Sequence, residues 1–127
     1  MSFDVWVGCF QNGDIATFPR AIVERAFADI ADRSDPATWR LADSGGTLYI
    51  GEEAGFAVNR PPGYDEFWEA IVDVLRQTPS VLYWPGKGCV IADPSVAAHL
   101  HPDLVAAVGT PTVTTDVAEI LELIRKG

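Results

Sequence analysis

Basic residues are scarce in this chain: 9 Lys and Arg stand against 18 Asp and Glu in 127 residues, for a formal charge of −9. A field of that sign repels nucleic acid and anionic membranes and speeds encounter with basic partners. Cysteine is also scarce, with only Cys9 and Cys89, which excludes a disulfide-dense scaffold. Both thiols lie in apolar, β-like runs, where Cys packs as a small hydrophobe. A bridge between the two stays open, because pairing is not readable from spacing. No apolar run approaches the roughly 20 residues of a membrane span. The start, Met1-Ser2-Phe3-Asp4, places no basic stretch before an apolar one, so a cytoplasmic setting is the expectation.

What the chain does have is a globular composition, 48% hydrophobic, at a length that suits one domain over residues 1–127. Residues 3–10 (FDVWVGCF) read as a strand, and Gln11-Asn12-Gly13-Asp14 as a turn. Ile22, Ala26, Phe27 and Ile30 recur at helical spacing over 19–32. Residues 39–42, 47–51 and 56–59 read as short strands, the last two joined by a hairpin loop that carries Glu52 and Glu53. A second helix is expected over 65–77, with Phe67, Ile71, Val74 and Leu75 on one face and Trp68 and Val72 beside it. Residues 81–84 and 89–92 are β-like. Asp93-Pro94 opens a short helix, Asp103 a second one ending at Gly109, residues 111–114 a last strand, and Asp116-x-x-Glu119 a C-terminal helix. Strands that come in clusters imply an α+β fold: a mostly antiparallel sheet of about five to six strands packed by three to four helices.

Few segments carry chemistry. In VLYWPGKGCVIADP, residues 81–94, Gly86-Lys87-Gly88 suggests a phosphate loop. Such a loop needs Ser or Thr after its Lys and then a helix. Gly88 and Cys89 follow instead, at the head of a strand, so Pro85-Gly86-Lys87-Gly88 reads as a hairpin tip. His99, His101 and Asp103 alternate in a way that could bind metal, but the sequence implies no third strong ligand, and histidines at a helix exit are the better reading. Cys9 or Cys89 beside His99 would make a nucleophile pair, yet neither cysteine precedes a helix, where thiolates are stabilised. No catalytic residue, metal or cofactor is therefore expected. The alternative is a small enzyme or ligand-binding domain with a site near His99, His101 and Asp103, with Cys89 beside them.

Acids and aromatics are plentiful, with four Trp. Trp68 sits off the central stripe of its helix, next to Glu69. Tyr83 and Trp84 alternate along a strand, so one of them should face away from the core. Aromatics beside carboxylates resemble a protein-binding hot spot. The expected partner surface is Glu52, Glu53, Asp65, Glu66, Trp68, Glu69, Tyr83 and Trp84.

A short acidic chain with FDVWVGCF at its start and VNRPPGYDEFWEAIVDVLRQTPSVLYWPGKGCVIADPSV through its middle resembles small bacterial immunity proteins of polymorphic or type VI-secreted toxin systems. The likeness runs over much of residues 56–114 and lies in the order and style of the segments. It implies a cytoplasmic protein that binds and neutralises a cognate toxin, often made by a neighbouring gene. No functional residue carries over, because immunity proteins vary at the surface that binds.

Overall fold

Strand β1 (Asp4–Gln11) is the middle of the fold. The computed structural model describes residues 4–16, 20–32, 38–41, 46–50, 55–61, 65–84 and 88–126. Along β1, Val5 and Val7 point to one face of the sheet and Trp6 and Phe10 to the other, as the two-residue period of a strand requires. After the two-residue turn Asn12-Gly13, β2 (Asp14–Ile15) folds back on the end of β1. Helix α1 (Arg20–Ala26) follows, then β3 (Ala31–Asp32), β4 (Thr38–Leu41), β5 (Thr47–Ile50) and β6 (Gly55–Asn59). Helix α2 (Asp65–Gln77) leads into β7 (Ser80–Tyr83) and β8 (Cys89–Ile91). A 3-10 helix (Pro94–His99), α3 (Pro102–Val108), β9 (Thr112–Val113) and α4 (Val117–Lys126) complete the order.

The sheet runs β3-β4-β5-β6-β1-β7-β8-β9, with β2 attached to β1 outside that path. Every pairing is antiparallel except β8 with β9. The 3-10 helix and α3 form the crossover between those two strands, which a parallel pair requires. The class is therefore the expected α+β, with more strands than the five to six read from sequence. The strands that the sequence did not announce are β2 and β3, two residues each and too short for an alternating pattern to register. One of them corrects a helix: α1 stops at Ala26 rather than at Asp32. The backbone bonds after it shorten to a three-residue step, Ala28 N–H to Arg25 O and Ile30 N–H to Phe27 O, and release the chain into β3.

One face of the sheet carries the main core. Val5, Val7, Trp39, Leu41, Leu48, Ile50, Phe56, Val58, Leu82, Trp84 and Val90 meet Val23 of α1, the inner face of α2 and Ile120 of α4. Phe27 ties the layers together, edge-on to Phe56 at 5.7 Å and tilted against Phe67 at 5.9 Å. Among the described residues, the other face is covered only at one end. Val81, Cys89, Ile91 and Phe10 pack beneath Val96, Leu100 and Val108 of the 3-10 helix, its C-cap and α3. Helix starts follow the expected chemistry at two places. Asp93 accepts from Ser95 N–H at 2.8 Å, and Asp116 accepts from Ala118 N–H at 2.9 Å. At α3 the cap is His101, whose Nδ1 accepts from Asp103 N–H at 3.0 Å, and not Asp103 itself. The two-residue register shift arises because Pro102 takes the first helical position.

Gly55 pairs with Gly8 in register, and its φ of +128° is open only to glycine. A β-carbon there would run into the Val7 carbonyl oxygen. Gly55→Ala is expected to lower the unfolding free energy by about 2–4 kcal/mol, read from the urea midpoint at unchanged slope.

Candidate partner-binding surfaces

Helix α2 owes its orientation to a full apolar face. Phe67, Trp68, Ala70, Ile71, Val72, Val74 and Leu75 are all buried. Asp65, Glu66, Glu69 and Asp73 are left on the exposed side. Acids at the first turn also complement the positive end of the helix dipole. The outer side of α2 and the start of α4 border a groove of about 500 Å³, lined by Glu69, Asp73, Arg76, Thr115 and Asp116 over Val72 and Val117. Just behind that rim, the Thr114 hydroxyl accepts from Asp116 N–H at 3.1 Å, which sets the capping residue in place. Three carboxylates against one guanidinium give the groove a negative balance suited to a lysine or arginine side chain.

The expected aromatic members of this surface are placed elsewhere. Trp68 is 2% exposed and meets Phe67 edge-to-face at 4.9 Å. A helix buried against a wide sheet hides a broader arc than one stripe, and Trp68 falls within it. Trp84 is also 2% exposed and shares the helix-covered face with Leu82. Its indole lies against Gly88, where any β-carbon would strike the ring. The expected place of these two indoles on the partner surface is thus corrected: each is core. Tyr83 does point the other way, as alternation demands. It is half-buried and stacks on Trp6, with ring centroids 5.8 Å apart and planes within 16°. Burial pushes its phenol up from the ordinary range. Glu52 and Glu53, like the hairpin tip at 85–87, lie outside the described residues.

Acids and aromatics therefore occupy opposite sides of the sheet. The acids ride on α2. Trp6 and Tyr49 lie on the part of the second face that, among the described residues, the 3-10 helix and α3 leave bare, and Tyr83 borders it against their layer. Tyr49, 49% exposed, projects there from β5. Sequence reasoning passed over Trp6 and Tyr49. The usable signal was alternation: Trp6 falls between the buried Val5 and Val7, and Tyr49 between the buried Leu48 and Ile50.

The histidines have backbone duties. His99 Nδ1 accepts from Asn12 N–H at 3.1 Å while its carbonyl accepts from Gly13 N–H at 3.0 Å, which clips the β1–β2 turn to the 3-10 helix. His101 Nδ1 caps α3, with the Asp103 carboxylate 3.8 Å away. In both rings Nδ1 is an acceptor, so the proton of the neutral form sits on Nε2. No cluster of three or more metal-ligating side chains forms among the described residues. Cys9 and Cys89 are buried free thiols, and the Cys89 thiol donates to Gly109 O at 3.5 Å.

Desolvation raises the pKa of both thiols, that of Cys89 to about 11. A raised thiol is protonated in the folded chain while the unfolded chain already ionises near 9, so stability is intact below that value and declines as pH climbs towards 11. Both thiols are expected to resist a thiol-specific disulfide reagent at pH 8 in the native protein and both to react in urea, counted by released chromophore. A fast native reaction at Cys89 would restore the nucleophile reading. Comparison of the chain with known protein families, curated proteins and solved structures finds no match.

Proposed function

We propose that this chain is an immunity-type protein that binds and neutralises a cognate bacterial toxin, with a basic surface of the toxin seated on the outer side of α2. The observation that carries the reading is the ridge of Asp65, Glu66, Glu69 and Asp73, exposed along one helix and continued by Asp116 across the groove. A rigid helix holds these carboxylates in fixed spacing, so a partner meets a preformed charge pattern rather than a floppy one. The overall charge of −9 adds long-range steering towards a cationic target. The resemblance of the sequence to immunity proteins points the same way.

In this reading the groove takes a basic side chain of the toxin. Val72 and Val117 line its floor, and apolar walls strengthen charge-assisted hydrogen bonds by limiting water. The ridge sets the association rate, and the groove sets the residence time.

Co-expression with the protein encoded beside it is the test. A basic toxin is expected to co-purify in a fixed ratio and to lose its activity. Reversing Glu66 and Glu69 to Lys changes the charge by +4, from −9 to −5. The association rate is then expected to fall by about 10-fold or more at low salt. That difference should shrink as salt rises, while the melting temperature stays put. A rate unaffected at low salt places the partner on another surface.

A further inference from the structure

The bare half of the sheet has a pattern that its registers make explicit. On that face β4, β5, β6 and β1 present two cross-strand rows. One row runs Arg40, Thr47, Asn59, Asp4, each opposite the next. The other runs Thr38, Tyr49, Ala57, Trp6. The alternate positions of all four strands point into the main core, so these eight side chains share the outer side. Among the described helices, α1, α2 and α4 lie on the opposite face, and the 3-10 helix and α3 pack over β7, β8 and the end of β1.

We propose that this face pairs with its own image in a second copy of the chain, about a two-fold axis that runs along the strands between β5 and β6. Such an axis lays β4 over β1 of the other copy, and β5 over β6. Arg40 then meets Asp4 of the other copy, and the converse, giving two opposite-charge contacts. Tyr49 comes down on Ala57 of the other copy, and Trp6 on Thr38. Each large ring finds a small residue, which is the interdigitation that face-to-face sheets need. Thr47 and Asn59 meet as polar neighbours in the centre.

Charge selects this occupant. Two copies at −9 each repel over most of their surfaces. Along this face, acid and base fall at mirror positions, so like charges do not meet at the two-fold. Asp4 is held in place by Asn59, whose Nδ2 donates to its carboxylate at 2.8 Å. Asp32 stands across from Arg40 on the edge strand β3, outside the four-strand overlap. Four strands span only about 20 Å, which puts the contact at the small end of specific interfaces. The dimer is therefore weak and concentration-dependent. It leaves both acidic ridges of α2 pointing outward, so each copy keeps its own partner surface and the inference stands apart from the identity of that partner.

Sedimentation equilibrium of the whole chain, from about 1 μM to about 1 mM, is the test. The expected result is a monomer–dimer equilibrium within that range. Tyr49→Glu changes a half-exposed side chain and is expected to weaken the dimer by about 10-fold or more without altering the circular dichroism spectrum. Arg40→Glu and Asp4→Arg should each weaken it in the same way, because each places like charges together. An equimolar mixture of those two variants should recover the dimer, since both contacts then become opposite-charge pairs. A wild-type chain that stays monomeric throughout overturns the proposal. So does a dimer indifferent to Tyr49→Glu, or a mixture no better than either variant alone.

Discussion

The position of β1 between β6 and β7 constrains everything else. It is hydrogen-bonded on both sides, so neither of its edges is free, and each residue is fixed to one face or the other by the register on two neighbours at once. Val5 and Val7 go under the helices. Trp6 is committed to the opposite side, and Tyr83 on β7 is brought across from it. A one-residue slip of β1 would send Trp6 into the core and two valines into water. The same register forces Gly8 against Gly55, where the backbones approach too closely for a side chain.

The two faces then acquire different characters. The helix-covered face is continuous from Trp39 on β4 to Val90 on β8, and it needs α1, α2 and α4 together to be closed. Among the described residues, the second face is closed only where the β8–β9 crossover lies on it. Building a parallel pair at the edge required that crossover, so the chain covers one end of the second face as a consequence of its topology. No described helix covers the other end. The acidic ridge and the bare aromatic face are thus separate surfaces, one on each side of a sheet with its main core between.

The two histidines, which looked most like chemistry, turn out to hold backbone, as the capping aspartates were expected to. Asp93, Asp116 and His101 satisfy the first N–H groups of their helices. His99 fastens the β1–β2 turn to the layer beside it. Asp93 keeps its carboxylate below the usual range through the Ser95 backbone N–H and that residue's side chain. Each occupies a position where a donor or acceptor would otherwise lack a partner, a common use of such residues beside short helices.

Sequence alone determined the helix over 65–77, its buried stripe, the hairpins around β5–β6 and β7–β8, and the acidic ridge on α2. These follow from local periodicity and from turn residues, which act over a few positions. It also determined that one of Tyr83 and Trp84 must leave the core. Which of the two did so was decided by pairing, since only the register of β7 on β1 and β8 fixes the inward side. Trp68 became core because the sheet beneath α2 is wide, a property of strands up to some sixty residues away in the chain. The two-residue strands β2 and β3 had no periodic signature at all and exist because longer neighbours template them. The bare face with Trp6 and Tyr49, and the mirror order of Arg40 and Asp4 across it, belong to tertiary structure entirely: they depend on which strands lie side by side, and that order is set by burying the whole apolar set at once.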